Sequence, residues 1–182
     1  MPSVITHSLV GVVAGREMMG KNTPKRFLIL SAVCPSLPDL DIIGFWFGVA
    51  YGDFFGHRGF FHSPFFALLL SILVVCVFFR DHKFLSRPWC LLVGIFFIIN
   101  ASHGLLDAFT NGGLGIALLS PFDSSRYFFP FRPILASPIG IETIFNRWRL
   151  MALISEIKWV WLPLGLLILA IRIIRAQKSE PT

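Results

Sequence analysis

"SRPWCLLVGIFFIINASHGLLD", residues 86–107, is the stretch that decides the fold class. A helix needs about 20 mostly apolar residues to cross the hydrocarbon core of a bilayer, and this run supplies them. Ser86 and Pro88 open it as an N-cap and a first-turn proline do. It closes on His103 and Asp107, two ionisable groups that a lipid-facing surface excludes. Being i and i+4, they share one helix face with Cβ atoms about 6 Å apart. The stretch therefore predicts a membrane helix whose far end faces a polar site inside the protein.

The rest of the chain agrees. Of its 182 residues 55% are hydrophobic and 14% charged, where a soluble domain carries roughly a quarter charged residues. The expected fold is a single all-α integral-membrane domain over 1–182, a polytopic bundle of about five membrane-embedded helices. The apolar segments run over 3–19, 27–49, 64–79, 88–109 and 157–174. Residues 1–109 hold the candidate site, and 110–156 form a long outer segment, partly re-entrant because "GGLGIALLSP" and "FFPFRPIL" stay apolar. Residues 157–182 form the last helix and a basic cytoplasmic tail. The opening Met1-Pro2-Ser3-Val4 lacks the basic n-region of a cleavable signal peptide. Ser63 and Pro64 mark a helix start, while Pro35 and Pro38 in "CPSLPDLD" must break the second segment. Cys34, Cys76 and Cys90 form no CxxC pair, so buried free thiols are expected rather than a disulfide.

The formal charge is +6. Membrane topology accounts for it better than nucleic acid, because basic residues gather in cytoplasmic loops. One set of helix ends carries Arg16, Lys21, Lys25, Arg26, Arg80, Lys83, Arg87, Arg172, Arg175 and Lys178. The other carries Arg58, Arg126, Arg132, Arg147, Arg149 and Lys158. The bias places the first set inside, with the N-terminus outside.

On this topology the ionisable residues meet at one height. His7, Asp39, His62 and His103 lie 14, 13, 18 and 16 residues from the basic residues Lys21, Arg26, Arg80 and Arg87, or about 20 to 27 Å at 1.5 Å per residue. Taken singly, each has an ordinary explanation. His7 alone reads as a core histidine, "PDLD" as a capped turn, and His57 and His62 as interface residues. Convergence of four segments at one depth favours a metal site formed by His7, Asp39, Asp41, His57, His62, His103 and Asp107. Imidazole and carboxylate together suit zinc, with manganese or iron as alternatives. In "PDLD" one carboxylate is free to ligate while the other orients a histidine. His82, in the inner loop "RDHK", sits at the wrong end and is expected to be solvated.

At these residues the chain resembles the YdjM-type family of membrane-bound metal-dependent hydrolases. The marks are "THSLVG", "PDLD", "HRGFFHS", and "HGLLDAFTNGG" followed by "LLSPF", in order over about the first 125 residues. A more distant likeness is to zinc-dependent phospholipase C and P1 nuclease, in which an early His, an Asp, a His and an HxxxD pair bind zinc. The matching positions are His7, Asp39 or Asp41, His62, His103 and Asp107. The chain lacks that group's downstream His, His and HxxxE ligands and its N-terminal Trp, so one or two ions are expected instead of three.

The resemblance implies hydrolysis in the inner membrane, and the depth of the site implies its outer face. A divalent ion lowers the pKa of its water and polarises the scissile oxygen. Asp39 or Asp41 is the expected general base, and Arg58 with Arg126 the expected clamp on an anionic phosphate. Membrane lipid is the expected partner and a lipid or phosphoester the expected substrate. A structural or transported metal is the alternative. A histidine-nucleophile lipid phosphatase ranks lower because Asp39, Asp41 and Asp107 dominate the site, and no HExxH marks a zinc protease.

Overall fold

The computed structural model describes residues 1–20, 22–137 and 147–177. The two basic residues Lys21 and Lys178 lie outside the described residues, as does the 138–146 part of the outer segment. Among the described residues the protein is helical, with two isolated β-bridges, Thr110 with Ile134 and Ile116 with Tyr127.

Helix α1 spans Val4–Met19, capped by the Ser3 side chain accepting from the Thr6 N–H, and ends at Gly20 with φ 86°. Helix α2, Lys25–Val33, runs into Pro35 and Pro38. Each proline lacks an N–H and crowds the preceding turn, so the α-helical pattern cannot continue. The chain tightens into a 3-10 segment, Cys34–Phe47, that closes at Gly48 with φ 80°. A 3-10 run this long is uncommon. Helix α3, Pro64–Phe78, starts where the sequence placed it, with Ser63 accepting from the Phe66 N–H. Helix α4, Arg87–Ala108, follows Ser86, whose hydroxyl makes no capping bond.

The last helix begins earlier than expected. Helix α5 (Arg147–Glu156), a π-helical turn (Ile157–Trp161) and helix α6 (Leu162–Gln177) join in one 31-residue rod, Arg147–Gln177. The basic start "RWR" hid this extension from a search for apolar runs, although Arg, Leu, Met and Ala are good helix formers. Residues 147–156, expected in the outer segment, are therefore helical.

Among the described residues three helical spans are long and apolar enough to cross a membrane: Lys25–Phe47, Arg87–Ala108 and Arg147–Gln177. Pro64–Phe78 is apolar but shorter, and α1 has 16 residues. The bundle core gathers Phe27, Val75, Phe79, Trp89, Phe96 and Ile99. Helices α1 and α2 pack so closely that a Cβ on Gly11 would strike the Ser31 carbonyl and Pro35, the small-residue contact that membrane helices favour. Helix α6 buries nothing and exposes Leu162, Leu166, Leu169 and Ile173. All three cysteines are free thiols, but only Cys34 is buried; Cys76 and Cys90 face outward.

Helix α1 and the last helix run parallel. Ser3 and Thr6 bond to Glu156, and Glu17 pairs with Arg172 and Arg175 at the other end. The 110–137 segment straps the site end of the bundle. Ala117 N–H bonds to the Arg58 carbonyl, and Arg126 donates to the carbonyls of His57, Tyr51 and Asp53.

Candidate metal centre

Four stretches of sequence meet at the site end of the bundle. Helix α1 brings His7, the 3-10 segment brings Asp39 and Asp41, the loop before α3 brings His57 and His62, and α4 brings His103 and Asp107. All seven side chains are buried. Gly104 makes the meeting possible, since a Cβ there would collide with the His62 carbonyl. The glycine of "HGLLD" is thus where the His62 loop lies directly on α4.

One ligand atom from each of Asp39, His62, His103 and Asp107 lies within 4.8 Å of the others. Asp39 Oδ1 is 3.4 Å from His62 Nε2 and 3.5 Å from His103 Nε2, while His62 Nε2 is 3.6 Å from Asp107 Oδ2. Two ligands bound at about 2.05 Å to a tetrahedral ion stand about 3.3 Å apart. His7 joins at the edge, its Nε2 3.7 Å from Asp107 Oδ1 and its ring tilted against His103 at 4.0 Å between centroids.

The decisive feature is what these groups lack. Every side-chain nitrogen and oxygen of His7, Asp39, His62, His103 and Asp107 is buried without a hydrogen-bond partner in the protein. Buried polar atoms are otherwise almost always paired, and leaving them unpaired is costly. A cation at their centre would satisfy one ligand atom from each of Asp39, His62, His103 and Asp107. The donor set and the spacing both fit a divalent ion.

The two carboxylates of "PDLD" divide the work, because residues two apart on a 3-10 helix of three residues per turn face different ways. Asp39 points to the cluster. Asp41 turns to two histidine Nδ1 atoms: Oδ1 hydrogen-bonds His57 at 2.7 Å, and Oδ2 lies 3.2 Å from His62. The second contact is short but off the hydrogen-bonding line, so His62 also counts among the unpaired groups. A carboxylate behind the far nitrogen is the arrangement that orients metal-binding histidines. Asp41, His57 and His62 also form a second, smaller group of potential ligands.

The sequence model of the YdjM inner membrane protein family matches residues 1–180. The chain belongs to that family. It is 40% identical over 172 residues to inner membrane protein YbcI of Escherichia coli (strain K12), covering 93% of this chain and 95% of YbcI. No solved structure matches. As a YdjM-family protein it resides in the inner membrane, and its long apolar helices agree.

The arginines of this YdjM-family chain sit differently from the expected phosphate clamp. Arg58 is 1% exposed. Its Nε lies 3.3 Å from Asp107 Oδ2, Nη1 donates to the Gly112 carbonyl, and Nη2 donates to Thr110 Oγ1. Its backbone N–H reaches Asp41 Oδ2, and its φ of 65° is unusual for a residue with a side chain. Arg58 thus contacts two site carboxylates, Asp107 through its side chain and Asp41 through its backbone. Arg126 is likewise taken up by three carbonyls. His82 lines a separate pocket with Val75, Phe79 and Trp89.

Sequence reasoning missed Thr110 and Tyr51, whose ring meets His57 edge-on at 5.2 Å, and it missed Glu156. The first two carry no signal of their own in one sequence. Glu156 carried one: an acidic residue at the edge of an apolar span.

Proposed function

We propose that this protein is a membrane-embedded metal-dependent hydrolase acting on a phosphoester or lipid-type substrate at the outer face of the inner membrane. The observation that carries the reading is the convergence of five buried residues whose side-chain polar atoms have no hydrogen-bond partner in the protein. Asp39, His62, His103 and Asp107 would hold the ion, with His7 beside them, and zinc is the metal their donor set suits best. When bound, such an ion supplies Lewis acidity and a water that ionises near neutral pH. Asp41, outside the four-residue group, orients His62 and with His57 forms the adjacent acid–base pair. Arg58 fixes Asp107 and Asp41.

A lipid substrate is supported by an apolar cavity of about 370 Å³ walled by Val10, Leu106, Phe109, Trp159, Val160 and Leu164. Leu106 adjoins Asp107, and Val10 lies one turn along α1 from His7. Pockets that take small ligands have this size and character.

A second reading, a structural or transported metal, is favoured by one observation: His7, His103 and Asp107 are 0% exposed. Structural sites are closed, whereas catalytic ones keep an open position. The deciding experiment measures bound metal in purified protein by elemental analysis. Metal-loaded protein in detergent is then assayed against phospholipids, lipid-linked phosphates and simple phosphodiesters. Hydrolysis that disappears in His103→Ala supports the enzyme. Bound metal without turnover on any of these, with ligand variants losing stability, supports the second reading.

A further inference from the structure

Glu156 is fully buried within the 31-residue last helix. Its carboxyl group accepts three hydrogen bonds from the start of α1: Ser3 N–H to Oε1 at 2.8 Å, and the Ser3 and Thr6 hydroxyls to Oε2 at 2.5 Å each. Five residues on, Trp161 Nε1 donates to Thr6 Oγ1 at 2.8 Å. One acid and one indole of the same helix grip one threonine.

An ordinary α-helix does not allow this grip. At 3.6 residues per turn, side chains five apart end about 140° away from each other around the axis. Between Glu156 and Trp161 lies the π turn Ile157–Trp161, where the Leu162 N–H bonds to the Ile157 carbonyl five residues back. The wider turn swings residues i and i+5 onto one side. π turns inside α-helices are frequent at functional sites.

Simple capping does not explain the arrangement. The first turn of α1 is already capped by Ser3 Oγ, which accepts from the Thr6 N–H at 3.3 Å. An ionisable group buried among membrane helices is costly and is seldom kept for packing alone. The residue after Thr6 is His7, whose ring lies against His103 and whose Nε2 faces Asp107.

We propose that Glu156 is a positioning residue for the metal centre. Together with Trp161 and the π turn, it fixes the height and rotation of α1 and so presents His7 to Asp107 and His103. This inference rests on the reading of the cluster as a divalent-ion site.

The test titrates cobalt(II) into full-length protein in detergent and follows the visible absorption of the bound ion. Wild type is compared with Glu156→Ala, Glu156→Gln, His7→Ala and the Glu156→Ala/His7→Ala double variant. Glu156→Ala is expected to weaken cobalt affinity about ten-fold or more and to alter the spectrum, as loss of an orienting partner does. Glu156→Gln keeps an acceptor oxygen and should recover most of the loss. In the His7→Ala background, removing Glu156 should cost less than about two-fold, because two residues that act as one do not add. A further ten-fold loss in the double variant would mean that Glu156 acts on the bundle at large, and the inference is overturned. Unchanged affinity and spectrum in Glu156→Ala overturn it equally. Where Glu156→Ala does not fold, Trp161→Phe removes a single bond to Thr6, and absence of a spectral shift in that variant counts against the proposal. No cobalt binding by the wild type removes the metal reading itself, a distinct result.

Discussion

His62 Nε2 and Asp107 Oδ2 stand 3.6 Å apart with no hydrogen bond between them. One comes from the loop before α3 and the other from the end of α4. Both are fully desolvated on their side chains, and Arg58 Nε, 3.3 Å from the same carboxylate oxygen, leaves the imidazole nitrogen still to be compensated.

That compensation is expected to be a metal ion, and its removal should be visible in stability. Chelation should lower the melting temperature of the purified protein, because an ion bound to the folded state alone stabilises it by mass action. Asp107→Ala and His103→Ala should retain less than about a tenth of the wild-type metal, and Asp41→Asn should weaken affinity about 10- to 100-fold as an orienting change. Elemental analysis beside a thermal melt checks all three. A melt that ignores chelator would count against the ion.

Arg58→Ala should destabilise the protein by about 3 kcal/mol or more, since it strips a buried partner from Asp107. It also leaves the Thr110 hydroxyl and the Gly112 carbonyl without their donor. The measurement is denaturant unfolding in detergent. A variant of wild-type stability that only captures substrate poorly would restore the phosphate-clamp role.

Gly104→Ala gives the opposite of what helix propensity alone gives. In an exposed helix the change gains about 1 kcal/mol. Here the new Cβ would meet the His62 carbonyl, and forced repacking costs about 1 to 3 kcal/mol. Loss of bound metal should accompany the loss of stability, because the His62 loop is what moves. Metal content and unfolding of the one variant decide it.

The charge bias predicts sidedness. In a background freed of Cys34, Cys76 and Cys90, single cysteines at Lys83 and Ser125 should label from opposite faces. Lys83→Cys should label from the cytoplasm and Ser125→Cys from outside. The reverse pattern would turn the metal centre toward the cytoplasm.

What the sequence by itself determined was the fold class and a set of histidines and aspartates that pack together at one end of the bundle. Apolar length marks helices that a bilayer accepts, and histidines and aspartates inside such runs stand out because lipid penalises them so heavily. Pro35 and Pro38 announced the break in the second span, although only the structure showed a 3-10 segment that turns Asp39 and Asp41 to different partners. The tertiary structure alone decided the partners. Arg58 carries the same charge buried against Asp107 as it would carry against a phosphate, and nothing local to "HRGFFHSP" tells those apart. Glu156 grips Ser3 and Thr6 across some 150 residues of chain, through a π turn that no residue pattern in that helix announces. Pattern along a chain records what each segment prefers against water or lipid. Which polar groups face one another is settled only when the helices pack, because burial then leaves each of them the neighbours it has and no solvent.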